Sequence, residues 1–361
     1  MPRIAEEGQL VTGGVDTHAD MHVAAVVDVV GRVLGTGQFP ATGAGYRAAL
    51  AWMRGHGELA RVGVEGTGSY GAGLARHLAA HGADVVEVIR PNRQARRLRG
   101  KSDAADAVAA ALAALNGEAC GAPKSHDGAV ESVRMLKVAR RGAIKARTQA
   151  ANQLRDLIVT APGQLREQLA PLPAARRVQL AARFRPKDLT SPAEGAKAAM
   201  ATVARRHQAL SAEIARLDDA LTELVTHAAP REFLARQGIA TQSAGTLLAT
   251  VGDNPHRLRS QASFAALCGA SPVDASSGKQ IRHRLNRGGD RQANSALWQI
   301  VMTRMSCDPR TKAYVTRRTA QGKTIKEIMR CLKRYVARQV YKDLVLHAEA
   351  HKEIIRGHAA E

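Results

Sequence analysis

Residues 11–39, VTGGVDTHADMHVAAVVDVVGRVLGTGQF, decide the fold. Three runs within them, VTGGVDTH, MHVAAVVDVV and RVLGTGQF, are rich in β-branched and small apolar residues. Only short polar or glycine-bearing connections separate the runs, so they read as three consecutive strands in a meander. Outward from there the pattern alternates. A helix is expected over about 44–56, a short buried strand over 61–66 (RVGVEG), a helix over 72–81 and a strand over 83–89 (ADVVEVI). SDAADAVAAALAAL is a strong helix, with Ser102 placed to cap it. A meander followed by alternating helices and strands is the order of an RNase H-like α/β sheet; a generic doubly wound sheet does not usually open that way.

Beyond this region the chain reads as helical. GEACGAPKSHDG, from Gly117, is a Gly- and Pro-containing break and the first boundary. Residues 130–159 read as one long helix dense in Arg and Lys, APGQLREQLAPLP as a second break, and 191–228 as helix again. Leu210, Ile214, Leu217, Leu221 and Leu224 follow the 4-3-4-3 spacing of a coiled-coil seam, with two antiparallel helices inside one chain as the alternative. Residues 236–254 hold a Gly-hydrophobic turn between helices, like one half of a helix-hairpin-helix. A polar Gly- and Ser-rich loop follows between two helices, and 294–341 are helical and basic with a break near 306–310. The expected domains are an α/β domain over 1–122, a helical coiled-coil linker over 123–229 and a mostly helical domain over 230–361.

The 361 residues carry 53 Lys plus Arg against 32 Asp plus Glu, a formal charge of +21. A surplus that large favours a polyanionic partner, of which nucleic acid is the commonest, although charge alone does not exclude an anionic membrane surface. Aromatics at 3% argue against a stacking platform for single-stranded bases. No run of 18 apolar residues appears, and MPRIAEEGQL lacks the basic and apolar regions of a secretory signal, so neither a membrane span nor export is expected. Cys120, Cys268, Cys307 and Cys331 lie far apart without a CxxC pair, which fits a reducing cytosol better than a disulfide frame or a structural zinc.

Three constellations carry chemistry. Asp16 sits in the first strand, Glu65 ends the fourth, and Asp103 and Asp106 lie at i, i+3 on one face of the helix after Ser102. In an RNase H-like sheet the first and fourth strands are neighbours and that helix packs near their ends, so four carboxylates converge. Apposed anions repel unless divalent cations neutralise them, and Mg²⁺ suits carboxylate oxygens; two ions about 4 Å apart serve phosphoryl transfer. Taken one at a time, the same acids read as solvated or capping groups. Asp16, His18, Asp20 and His22 alternate, which on a continuous strand suggests a zinc site, but a turn near Ala19 fits the meander better. The second constellation is Ser276-Ser277-Gly278-Lys279, followed by Arg282, Arg284, Arg287 and Arg291: a hydroxyl able to attack, beside cations able to hold a phosphate. On its own a Ser-Ser-Gly run is common loop chemistry. The third is Arg93, Arg96, Arg97, Arg99 and Lys101, directly before the acid-bearing helix, where they would draw nucleic acid toward it.

GVDTHADMHVAAVVD, VGVEGTGSYG, RGKSDAADA, TLLATVGD and FAALCGASPVDASSGK…RLNRGGDRQANSAL together resemble the IS110 family of insertion-sequence transposases, also described as DEDD transposases and bridge-RNA-guided recombinases. The resemblance runs over nearly the whole chain in family order. It implies a RuvC-like first domain whose four metal-binding acids match Asp16, Glu65, Asp103 and Asp106. It implies a C-terminal transposase domain whose nucleophilic serine matches Ser277, with Ser276 as the close rival. It further implies a coiled-coil joining segment that supports dimers and tetramers, DNA cleavage and rejoining through a phosphoserine intermediate, and a structured guide RNA. The partners would be element ends and target DNA, in a bacterial, nucleoid-associated setting. Gln237-Gly238-Ile239-Ala240 departs from the family's Pro-Gly-Ile-Gly-like turn. Three other readings compete: a RuvC-like junction resolvase or nuclease using water, a sugar-kinase- or chaperone-like ATPase, and a basic architectural DNA-binder. The ATPase lacks a Gly-rich turn after Asp16, and the architectural reading leaves the four acids without a purpose.

Overall fold

The computed structural model describes residues 9–88, 102–119, 121–278 and 283–346. The chain divides into two compact units, Met1–Gly128 with Val251–Arg259, and Ala129–Thr250 with Ser260–Glu361. No helix among the described residues is long and apolar enough to cross a membrane.

The first unit is built from β1 (Leu10–Thr17), β2 (Met21–Asp28), β3 (Val33–Pro40), α1 (Gly43–Arg54), β4 (Glu58–Glu65), α2 (Ala72–Ala80), β5 (Val85–Val88) and α3 (Asp103–Leu115). Its five-stranded sheet has the order β3-β2-β1-β4-β5. The first three strands are antiparallel, and β4 and β5 run parallel to β1 and to one another. β1 and β2 are buried on both faces, which is why their sequences stay apolar without alternating. β4 begins three residues before the stretch 61–66. Its first half alternates exposed and half-buried positions, so only its second half carries an apolar signal. The segment 251–259 is tied in by Asn254, whose Nδ2 donates to Pro123 O at 2.9 Å and whose Oδ1 accepts from Ser125 N at 3.1 Å.

The two faces of the sheet are packed differently. On one, Val11, Val15, Val62 and Val64 meet Leu50 and Met53 of α1 and Leu74 and Leu78 of α2. On the other lies α3, and it comes very close. A Cβ built on Gly14 would stand 2.1 Å from Ala111 N and 2.4 Å from Ala107 O, and one on Gly63 would stand 2.5 Å from Ala110 O. Glycines in two adjacent strands and alanines along one helix together let the backbones touch. Ser102 caps α3, its hydroxyl accepting from Ala105 N at 3.2 Å.

The second unit is helical: α4 (Ala129–Val159), α5 (Gly163–Leu169), α6 (Ala174–Ala182), α7 (Pro192–Ala228), α8 (Arg231–Leu234), α9 (Thr241–Val251), α10 (Gln261–Leu267), α11 (Arg291–Cys307), α12 (Pro309–Ala320) and α13 (Ile325–Tyr341). A two-residue ribbon of β6 (Val273–Asp274) and β7 (His283–Arg284) stands between α10 and α11. The expected break APGQLREQLAPLP contains α5. Pro162 and Pro173 stand at the N-caps of α5 and α6, and Leu165 and Leu169 are buried with Leu154, Ile158 and Met200, so the prolines bracket a helix there. α4 and α7 pair antiparallel, since Arg140 binds Asp218 at 2.5 Å while Arg206, earlier in α7, reaches Gln153, later in α4. Two antiparallel helices in one chain therefore describe this pair. Of the seam residues Ile214 and Leu221 are buried, and Leu210, Leu217 and Leu224 half-buried.

Lys137 of α4 donates to Gln242 O at 2.9 Å and Gln242 Oε1 at 3.2 Å, and burial, aided by Arg140, pushes its ammonium down to about 8. A folded-state pKa below the unfolded value means that the unfolded chain holds more protons between about pH 8 and 10.5, so stability from this group rises with pH across that window. The stability difference between the wild type and Lys137→Met should shift in favour of the wild type by roughly 2 kcal/mol from pH 7.5 to pH 10.5, read from urea midpoints; a difference constant with pH would contradict a destabilised charge.

Candidate active site

The register of β1 and β4 pairs Gly14 with Gly63 and Val15 with Val64, so Asp16 and Glu65 come next, at the C-terminal ends of neighbouring parallel strands. Thr17 ties the two ends together, its hydroxyl donating to Glu65 O at 2.9 Å. Side chains alternate along a strand, so Asp16 faces the same side as Gly14 and Glu65 the same side as Gly63, the side covered by α3. α3 lays Ala107 and Ala111 over Gly14, which brings its first turn, with Asp103 and Asp106, to the end of the sheet where the strand acids stand.

Asp16 and Asp106 are buried, at 7% and 5% exposure, while Asp103 is exposed. His18 sits between Asp16 and Asp103: its Nε2 is 3.2 Å from Asp16 Oδ2 and 3.6 Å from Asp103 Oδ1. One ligand atom from each of the three lies within 4.8 Å of the other two. Ligands on opposite sides of one ion with bonds of about 2.1 Å are about 4.2 Å apart, so small side-chain movements would bring the set onto a single divalent cation. A buried carboxylate at the end of a parallel strand, with a second carboxylate and an imidazole at hand, is chemistry suited to such an ion. Glu65 and Asp106 stand at this end by register and helical spacing but are not among the three groups whose ligand atoms meet within 4.8 Å.

The alternating Asp16, His18, Asp20 and His22 do not share a face. β1 ends at Thr17, His18–Asp20 form the turn, and His22 stacks on Tyr46 of α1 at 5.6 Å on the opposite side of the sheet. His18 alone joins the acids.

The Ser-Gly loop is carried by the second unit. Its base is clamped. Asn294 of α11 donates to Cys268 O at 2.8 Å and Gly269 O at 3.0 Å, and accepts from Lys333 Nζ at 2.9 Å. Asp290 N donates to Leu267 O at 2.6 Å, and the Asp290 side chain caps α11 through Gln292 N and Ala293 N. Gly289, at φ +85°, lies so near Leu267 O that a Cβ would stand 2.6 Å from it. The GGDRQAN string is thus a scaffold that holds the foot of the β6–β7 ribbon, and Ser276, Ser277 and Gly278 stand beyond its top. Ser276 N–H and Oγ both bond Asp274 Oδ1, at 2.9 and 2.5 Å, and Ser276 and Ser277 are both exposed. Arg284, Arg287 and Arg291 are exposed near the loop. Lys279, Arg282, Arg93, Arg96, Arg97, Arg99 and Lys101 lie outside the described residues.

One group of residues escaped the sequence reading. Tyr314, Arg317 and Arg318 of α12 and Arg330, Arg334, Tyr335 and Arg338 of α13 gather around one cavity of about 940 Å³. The i, i+4, i+8 spacing of Arg330, Arg334 and Arg338 is the signal that marked it.

A family model described as a transposase, the DEDD type of IS110, matches residues 13–161, and a second, described as transposase IS116/IS110/IS902 family, matches residues 231–316. An insertion element IS110 protein of 43.6 kDa from Streptomyces coelicolor is 32% identical over 126 residues, which are 35% of this chain and 29% of that protein. The first model covers β1 from Gly13 onward, the other four strands, α3 and all four acids, and the second spans the clamped ribbon with Ser276 and Ser277. The chain belongs to the IS110 family of transposases.

Proposed function

We propose that the protein is a DNA transposase that cuts and rejoins DNA through a serine phosphodiester, with Mg²⁺ held by Asp16, Glu65, Asp103 and Asp106. The observation that carries this reading is the meeting of Asp16, His18 and Asp103 within 4.8 Å at the end of β1, in a chain of net charge +21. So strongly cationic a protein gains nothing for polyanion binding by gathering acids at one spot, unless the acids hold a cation for work on the bound phosphate. The sheet order β3-β2-β1-β4-β5 supports an RNase H-like, RuvC-like domain over 1–122. The remaining divisions in this reading are a joining segment over 123–229, whose intrachain helix pair would present a surface for pairing subunits into dimers or tetramers, and a transposase domain over 230–361.

Bound as two ions, Mg²⁺ would supply Lewis-acid polarisation of the scissile phosphate. Ser277 Oγ would attack phosphorus, the bond from phosphorus to the leaving strand's oxygen would break, and the proton lost by the hydroxyl would end on that oxygen. The product is again a diester, so a hydroxyl of a second strand reverses the step without an energy-supplying cofactor. Both serines are exposed, and Ser277 is favoured because the Ser276 hydroxyl is already bound to Asp274. Arg284, Arg287 and Arg291, with Lys279 and Arg282, would hold the phosphate, and Arg93, Arg96, Arg97, Arg99 and Lys101 would guide the strand toward the acids. The partners in this reading are element ends, target DNA and a structured guide RNA.

The test uses a plasmid carrying the sequence that flanks this gene, with protein–DNA adducts read on a denaturing gel. Ser277→Ala should remove the adduct and Ser276→Ala should retain it. The reverse pattern would move the nucleophile to Ser276, and cutting without any adduct in the wild type would point to a nuclease or junction resolvase that uses water.

A further inference from the structure

The cavity between α12, α13 and the β6–β7 ribbon lies wholly within the second unit. Eight Lys or Arg side chains line it against one acid, Glu327, which is committed to the capping box of α13 with Thr324. Among the described residues none of these eight cations forms an ion pair, and Arg318 Nε is buried without a hydrogen-bond acceptor. Burial drives Lys333 and Arg334 below their usual values, each further lowered by a neighbouring arginine. That is the electrostatics of a site suited to an anion.

Two tyrosines stand among the cations. Tyr314 and Tyr335 meet edge to face at 5.8 Å, with the guanidinium groups of Arg317 and Arg338 at 5.4 and 5.9 Å from the respective ring centroids. Tyr335 is 49% exposed, so much of its ring surface is open to a guest. The whole chain has only eleven Trp, Tyr and Phe residues, a number that argued against a stacking platform, yet two of them are concentrated here. The volume, about 940 Å³, lies at the top of the range for small-molecule sites of roughly 300–1,000 Å³; that is room for a few nucleotides and not for a duplex.

We propose that this cavity binds a single-stranded polynucleotide, with phosphates on Arg318, Arg330 and Arg334 and an unpaired base stacked on Tyr335. The proposal deepens the transposase reading, since it rests on nucleic acid as the partner, and it assigns unpaired strands to a cavity apart from the acids and beside the serine loop, with which it shares Arg284. Fluorescence anisotropy with oligodeoxythymidylate, oligouridylate and a mixed-sequence duplex of equal length, all in EDTA, tests it on the full chain. Tyr335→Ala should weaken the single strands by roughly 5- to 150-fold and leave the duplex unchanged, while Tyr335→Phe should bind like the wild type. Arg330→Gln should reduce the slope of log affinity against log salt on single strands by about 0.7. The tighter of the two single strands identifies DNA or RNA as the natural guest. Equal losses on duplex and single strand, or no loss from Tyr335→Ala in a protein of unchanged melting temperature, would overturn the proposal. Because EDTA removes catalysis from the readout, this failure is separate from any failure of the Ser277 test.

Discussion

Asp103→Ala should lower DNA strand cleavage by about 10³-fold or more while the variant melts close to the wild-type temperature, because loss of a metal-supported step costs several kcal/mol of transition-state stabilisation. Asp103 is the cleanest of the four acids to remove. It stands exposed in the first turn of α3, where an acid contributes only about 0.3–1 kcal/mol through the helix dipole, so truncation leaves no buried group stranded. Asp16 and Asp106 are buried, and alanine there would mix a folding loss with a catalytic one. Asp16→Asn, which keeps the shape and loses the charge, is the matching variant at that position and should show the same deficit. Affinity for DNA should hold or tighten slightly in both variants, since removing an acid from a cationic protein removes repulsion of phosphate. His18→Gln is expected to fall between them and the wild type, because His18 hydrogen-bonds Asp16 with Asp103 only 3.6 Å away, and glutamine keeps a polar group there. Cleavage by Asp103→Ala at the wild-type rate, measured with saturating Mg²⁺, would end the metal assignment.

The strands of the meander were legible because β1 and β2 are buried on both sides and therefore apolar throughout. α3 was legible for a different reason: Ser102 and a run of alanines are strong local signals. β4 shows the limit, since its second half is buried and carried the apolar signal while its first half borders solvent. α5 was hidden by prolines that in the fold merely start and end helices. Asp16 and Asp103, the two acids that meet within 4.8 Å, could be paired in advance because the strand order and the start of α3 fix which ends are adjacent. His18 could not, because its place depends on a turn that leaves His22 on the far side of the sheet. The cationic cavity was hidden by averages. An overall aromatic content says nothing of two tyrosines on neighbouring helices, and its cations are spread over α12, α13 and the ribbon.

Gly14→Val is expected to cost about 3 kcal/mol or more in stability and to abolish cleavage in whatever fraction still folds. The reason lies in which atoms crowd the site. The nearest neighbours of an added Cβ are Ala111 N at 2.1 Å, Ala107 O at 2.4 Å and Ala111 Cα at 2.6 Å, all of them backbone, so no side-chain rotation relieves the overlap. The helix must move off the sheet as a body. That movement opens the packing of Val23 and Ala25 against Ala107, and it carries Asp103 and Asp106 away from Asp16. Fold and site are thus coupled through a single missing methyl group. Ala111→Gly should not rescue the variant, because deleting the Ala111 methyl leaves its N and Cα in place. Gly63→Ala should behave similarly against Ala110 O, whereas Gly68→Ala, with nothing within 4 Å, is the neutral control. Urea midpoints and cleavage rates check both halves. A Gly14→Val protein with wild-type midpoint and activity would show that α3 does not need the glycine surface, and that the acids are held in place by something other than its close approach.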